Sequence, residues 1–123
     1  MTDPVFEITK AARFDAAHHL NLGPPDSPYR RLHGHSFKVE ATVRGAATAG
    51  EGWVADLAEL DGALKGIAAE LDHGLLNEKP GLDTPTLENL CLYFAERLKP
   101  AFPNLRRIVL SRPTVGESCA FEL

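Results

Sequence analysis

His33 and His35 stand two residues apart in the run from Tyr29 to Phe37, YRRLHGHSF, with only a glycine between them. In an extended chain, residues two apart project from the same face with backbones about 6.5–7 Å apart, so two imidazoles there can converge on one ion. Gly34 carries no side chain to crowd the opposite face. The alternation Phe37, Val39, Ala41, Val43, followed back toward the N-terminus, lands on both histidines and places them on the inward side of a strand. A third histidine, His18, closes another alternating run through Phe14 and Ala16 on its inward parity; a bulge would select His19 instead. Three ring nitrogens with a fourth position open form the donor set of catalytic zinc, and nitrogen donors favour zinc over calcium or magnesium. Histidines that serve only as surface or structural side chains are the alternative. The shared inward parity favours the metal, because ring nitrogens buried without partners are costly.

A second chemistry is written at Asp72-His73. A histidine at the end of a helix complements the negative end of the dipole. An imidazole oriented by a carboxylate is also the group that moves protons near neutral pH. Cys91 and Cys119 have no paired spacing, so they read as reduced, packed thiols rather than as a disulfide framework or a thiolate metal site.

The elements that must position these residues follow from periodicity. Residues 5–19 alternate as a half-buried strand. NLGPPDSPY, from Asn21 to Tyr29, is a loop by its Pro, Gly, Asp and Ser content, and a second strand runs from Phe37 to Arg44. GAATAGEG, residues 45–52, is a flexible connection. Asp56 with Glu59 forms a capping-box start for a helix whose stripe is Leu57, Leu60, Leu64, Ile67, Ala68 and Leu71, ending near Gly74. A second helix is predicted with Thr84 as N-cap and Pro85 at N1, carrying Leu87, Leu90, Cys91, Phe94 and Leu98 and ending at Pro100. Arg106 to Arg112 and Ser118 to Leu123 are two further short strands around a Pro-Thr-Val-Gly turn. The order β-β-α-α-β-β describes one α+β domain over residues 1–123, a four-stranded antiparallel sheet with two helices on one face. Regular edge strands make a sheet that continues between subunits a natural assembly.

Composition narrows the partners. The chain has 123 residues, 44% hydrophobic and 24% charged, which is the make-up of a globular domain with one modest core. A net charge of −4 supplies no field for nucleic acid or anionic lipid, so neither is an expected partner. No apolar run reaches membrane-spanning length and no secretory leader pattern opens the chain, so it is expected to be cytoplasmic.

Five stretches in this order, FDAAHHL at 14–20, RLHGHSF at 31–37, GWVADLAEL at 52–60, LDHGLLN at 71–77 and TPTLENL at 84–90, resemble the 6-pyruvoyl-tetrahydropterin synthase and 6-carboxy-tetrahydropterin synthase family. The resemblance implies the tunnelling fold, with trimers whose sheets form a barrel and two barrels stacked into a homo-hexamer. It implies zinc held by His18, His33 and His35, and a lyase acting on a small pterin, 7,8-dihydroneopterin triphosphate. One branch of the family releases acetaldehyde and feeds 7-deazaguanine and queuosine synthesis; the other feeds tetrahydrobiopterin. Carried over by motif, Asp72 and His73 are the proton-relay pair, and Thr86 and Glu88 lie in the pterin-side segment, where Thr86 also suits a helix-start hydroxyl.

Two positions depart from the family pattern. Its catalytic cysteine stands four residues before the first histidine of the HGH pair, where this chain has Tyr29. A phenol is a poor base at neutral pH but can shuttle a proton, and the related dihydroneopterin aldolases use a tyrosine in retro-aldol chemistry. Asp26 is a second candidate for the missing group. The family's Glu-Thr pterin anchor is replaced by Ser111-Arg112-Pro113-Thr114, with Glu117 the nearest carboxylate. Glu117 either takes the anchor's place or, with Arg112, serves a different ring, since a guanidinium prefers an acceptor edge. The resemblance therefore implies a zinc-dependent pterin lyase with Tyr29 in place of the thiol. The alternatives are an altered paralogue that binds or processes another pterin- or purine-like molecule in the inherited pocket, and a non-catalytic module.

Overall fold

Alternation along the N-terminal run produces a long strand, β1 (Val5–His18), which pairs antiparallel with β2 (His33–Ala46) from Val5 opposite Ala46 to His18 opposite His33. The structure is a computed structural model that describes residues 3–47 and 50–123. Strands β3 (Leu105–Arg112) and β4 (Glu117–Glu122) complete an antiparallel sheet in the order β1-β2-β3-β4. Strand β2 starts at His33, four residues before the apolar run that announced it, because pairing with the end of β1 carries the ladder through residues of weak strand propensity. Within the connection assigned to 45–52, strand β2 takes in residues 45 and 46, and residues 48 and 49 lie outside the described residues.

Helix α1 (Leu57–Leu71) is capped by Asp56, whose carboxylate accepts the Ala58 N–H at 2.8 Å. It ends three residues short of Gly74, since Asp72 turns to extended backbone and engages β1 instead. Helix α2 (Leu87–Leu98) is capped by Thr86, not Thr84: the Thr86 hydroxyl accepts the Asn89 N–H at 3.1 Å. Pro85 thus lies outside the helix. The β3–β4 connection is a tight turn over Pro113–Val115 closed by Gly116 at φ 68°, a left-handed position that favours glycine.

Both helices pack on one face of the sheet. Leu60, Leu64, Leu71, Leu90, Phe94 and Leu98 are buried against Phe14, Phe37, Val39, Ala41, Ile108 and Leu110. Phe14 stacks on Phe37 with ring centroids 5.0 Å apart and on Phe94 at 5.9 Å. Phe37→Ala is expected to lower stability by about 3–5 kcal/mol, the usual cost of deleting a buried ring, read as a reduced midpoint in urea denaturation. The opposite face is polar, with Thr9 and Thr42 hydroxyls bonded at 2.7 Å and Arg107 paired with Glu7 at 2.9 Å. Among the described residues, no helix is long and apolar enough to cross a membrane.

Candidate metal centre and adjoining grooves

The final rung of the β1–β2 ladder sets His18 directly opposite His33, and His35 follows two residues along β2. Ring centroids lie 4.6 Å apart for His18–His33, 5.0 Å for His18–His35 and 4.9 Å for His33–His35. One nitrogen from each ring falls within 4.8 Å of the other two. Gly34 between them lies close to β1: a Cβ there would stand 3.3 Å from the Ala16 carbonyl oxygen, a tight contact that a larger residue would meet only by a small shift of the backbone.

The hydrogen bonds fix which nitrogens are free. His18 Nδ1 lies 3.2 Å from the Pro85 carbonyl oxygen and His33 Nδ1 lies 2.7 Å from that of Arg31. Carbonyl oxygens only accept, so both Nδ1 atoms carry the proton and both Nε2 lone pairs remain. Those two Nε2 atoms face each other at 3.0 Å. Two lone pairs at that distance repel unless a cation lies between them, and backbone-oriented neutral imidazoles are the usual ligands of zinc. Burial pushes the His18 imidazolium down to about 4, and burial with the Arg112 charge lowers that of His35. Both rings are therefore neutral donors at neutral pH. The donor set fits zinc.

Asp72 and His73 are held by the backbone of β1. Asp15 N–H donates to Asp72 Oδ1 at 2.8 Å, and His73 N–H donates to the Asp15 carbonyl at 2.7 Å. His73 adopts φ 58°, an uncommon left-handed conformation for a residue with a side chain, sustained by these bonds and by Ala17 N–H to Gly74 carbonyl at 2.9 Å. Its Nδ1 lies 2.7 Å from Asp72 Oδ2, so Asp72 is the orienting carboxylate. The Asp15 N–H and the His73 contact hold the Asp72 carboxyl below the usual carboxylate range; Asp72 in turn raises the His73 imidazolium. With the proton on Nδ1, the His73 Nε2 lone pair is free, on a ring 82% exposed.

Two openings flank the histidine set. On one side a groove of about 790 Å³ is lined by Asp15, His35, Ser36, His73, Glu78 and Thr114, among others. On the other, depressions of about 470 Å³ and 390 Å³ share Leu20, Tyr29, Arg112 and Glu117 and form one continuous groove. Its near end adds Arg31, His33 and His35; its far end adds Thr86 and Glu88. The structure thus gathers Tyr29, Thr86, Glu88, Arg112 and Glu117 in one place and sets His73 across His35 from them. Arg112 and Glu117 face each other on the last β3–β4 rung with Nε to Oε1 at 3.1 Å, so both candidates for the altered anchor are present as an ion pair. Asp26 is an exposed turn residue outside the lining of these grooves. Neither cysteine lines them: Cys91 is buried, its thiol pushed up to about 12 by burial, and donates toward the Cys119 carbonyl at 3.5 Å.

Sequence reasoning did not find the Pro85 carbonyl or the Asp15 peptide unit, both of which orient site residues. Main-chain groups carry no residue-type signature, and only the meeting of FDAAHHL, LDHGLLN and TPTLENL in the fold reveals their part.

Residues 7–122 match the sequence model of a family described as 6-pyruvoyl tetrahydropterin synthase. The chain is 36% identical over 106 residues to the dihydroneopterin monophosphate aldolase of Pyrococcus furiosus, covering 84% of this chain and 86% of that one. It is 36% identical over 95 residues to a putative 6-carboxy-5,6,7,8-tetrahydropterin synthase of Archaeoglobus fulgidus, covering 77% of each. Among solved structures, it superposes on Caenorhabditis elegans 6-pyruvoyl tetrahydropterin synthase with a TM-score of 0.86 over 100% of this chain and 99% of that one, at 21% identity, which establishes the fold.

Proposed function

The chain belongs to the 6-pyruvoyl tetrahydropterin synthase family, and from that premise we propose that it is a zinc-dependent lyase cleaving a carbon–carbon bond in the side chain of a 7,8-dihydroneopterin phosphate. The observation that carries this reading is the three-histidine set bordered by His73 and Tyr29 with no thiol lining either groove. A retro-aldol cleavage needs one base and one acid and no thiol. The name of the Pyrococcus relative points to the same chemistry.

Bound by His18, His33 and His35, zinc supplies Lewis-acid polarisation of side-chain oxygens. The remaining work falls to the chain's own groups. His73 Nε2, its ring fixed by Asp72, takes the proton of the 2′-hydroxyl. The C1′–C2′ bond then breaks, C2′ becomes an aldehyde carbon, and the electron pair left on C1′ is delocalised into the adjoining ring imine. The Tyr29 phenol is an O–H donor and returns a proton to C1′. From the 3′-monophosphate the products are 6-hydroxymethyl-7,8-dihydropterin and glycolaldehyde phosphate, which balances the reaction without a co-reactant. Thr86, Glu88, Glu117 and Arg112 form the pterin end of the groove.

The test is incubation of the metal-loaded protein with dihydroneopterin monophosphate and, separately, triphosphate, with mass analysis of both product fragments. Hydroxymethyl pterin with glycolaldehyde phosphate supports the aldol reading. A 6-carboxy pterin with acetaldehyde assigns the carboxy-synthase reaction, which the name of the Archaeoglobus relative favours. Bound but unconverted pterin marks an altered paralogue. Tyr29→Phe is expected to cut turnover about 100-fold while pterin binding persists; an unchanged rate removes Tyr29 from the mechanism.

The same reading includes a homo-hexamer built as a dimer of trimers. It is supported by the outer edges of β1 and β4, which have no strand partner within the described residues, and by exposed Val5 and Phe6 on β1. Light scattering should give about six times the 13.4 kDa of one chain.

A further inference from the structure

The two arginines ahead of the HGH run have different surroundings. Arg30 turns back on its own loop, donating from Nη2 to the Gly23 carbonyl at 2.7 Å and from Nε to the Pro24 carbonyl at 3.0 Å. Its guanidinium is thereby committed to holding the loop. Arg31 is anchored only through its main chain, where its carbonyl accepts the His33 Nδ1 proton at 2.7 Å. Its side chain lines the near end of the groove with Tyr29, His33 and His35, and it makes no ion pair or hydrogen bond among the described residues.

The other charges of the groove give it a direction. Arg112 is answered by Glu117 at 3.1 Å, and the far end beyond that pair carries Glu88 beside Thr86. Acid without a matching cation therefore stands at one end and a guanidinium without a matching acid at the other. The amino-pyrimidinone edge of a pterin presents N–H donors suited to carboxylates, whereas a phosphate suits an arginine fork. A single uncommitted guanidinium matches a single phosphoryl group.

We propose that Arg31 binds the terminal phosphate of the substrate and so fixes the direction in which a pterin monophosphate lies along the groove, past the histidine set. The proposal rests on the pterin-lyase reading above. It separates Arg31 from Arg30, which the sequence presents as an equivalent pair.

Calorimetric binding to the metal-loaded full chain tests it, with 7,8-dihydroneopterin 3′-monophosphate and 7,8-dihydroneopterin as the two probes and every Arg31 form carrying His73→Ala so that neither probe is cleaved during the titration. The form that keeps Arg31 is expected to prefer the phosphorylated probe by about 10- to 100-fold, the usual worth of charge-assisted hydrogen bonds to one group. Arg31→Ala should bring that ratio toward about one, and Arg31→Lys should keep part of it, because an ammonium retains the charge but not the fork. Arg31→Gln serves if the alanine variant does not fold. A ratio that survives Arg31→Ala or Arg31→Gln, or no preference with Arg31 in place, overturns the assignment. Turnover is not the readout, so an unsubstituted protein that binds but does not cleave refutes the lyase reading alone, and one that binds neither probe refutes both.

Discussion

His33→Ala is expected to strip the protein of zinc and of activity together. His33 Nε2 lies 3.0 Å from His18 Nε2, and its orientation comes from the Arg31 carbonyl, so no neighbouring side chain can take its place in the set. Loss of a single oriented partner around a metal-bound histidine costs about 10- to 100-fold in affinity, and loss of a ligand itself should exceed about 100-fold. Metal analysis after gel filtration should fall from near one zinc per chain to background, and turnover should fall by about a thousandfold or more, toward the level left by positioning alone. His33 is half-exposed at the end of the ladder, so the fold should survive, with its circular dichroism unaltered. Stoichiometric zinc retained by the variant would sink the metal centre. His19→Ala is the matched control: that residue is engaged through its main chain, with N–H to Asn77 Oδ1 at 3.0 Å, and zinc should remain.

The second large effect concerns the carboxylate–imidazole pair. His73→Ala should lower turnover by about 10²- to 10⁴-fold, the range for loss of a general base, while zinc stays bound. Asp72→Asn separates charge from geometry, because the amide oxygen can still accept the Asp15 N–H while the negative charge beside His73 is gone. His73 acts as a base only when unprotonated. Asp72, first by its hydrogen bond and then by its charge, raises the His73 imidazolium above the ordinary value of 6.5. Wild-type activity should therefore rise with pH through a midpoint above 6.5, and in Asp72→Asn that midpoint should move to lower pH. The plateau rate should also drop about 100-fold, since the amide no longer enforces the Nδ1 tautomer. Asp15 and Glu78 also line the groove beside His73, and Asp15 raises the imidazolium slightly. Asp15→Asn should accordingly give only a small shift. An acidic limb unmoved by Asp72→Asn would remove this pair from proton transfer.

Much of this protein is determined by patterns that act over a few residues. Alternation in Phe37, Val39, Ala41 and Val43 must bury one face of a strand, and that parity, once pairing with β1 carries the ladder back to His33, sets His33 and His35 on the same face. The stripes of α1 and α2 likewise fix which faces they bury. The absence of a cysteine before the HGH run, and Ser111-Arg112 where the family resemblance implies a Glu-Thr pair, are also plain in the residues themselves.

Other features were decided by tertiary structure alone. Helix α2 took Thr86 rather than Thr84 as its cap; both hydroxyls were available, and the choice left the Pro85 carbonyl to accept from His18. Helix α1 stopped at Leu71 because Asp72 found the Asp15 N–H, fifty-seven residues away in the chain. Arg30 and Arg31 are chemically identical in the sequence, and only the fold of the Gly23–Arg31 loop spends one guanidinium on carbonyls and leaves the other in a groove. Side-chain periodicity reports burial because burial depends on direction. Hydrogen bonds to main-chain groups and the balance of charge along a groove depend instead on which distant segments meet, and no local pattern encodes that.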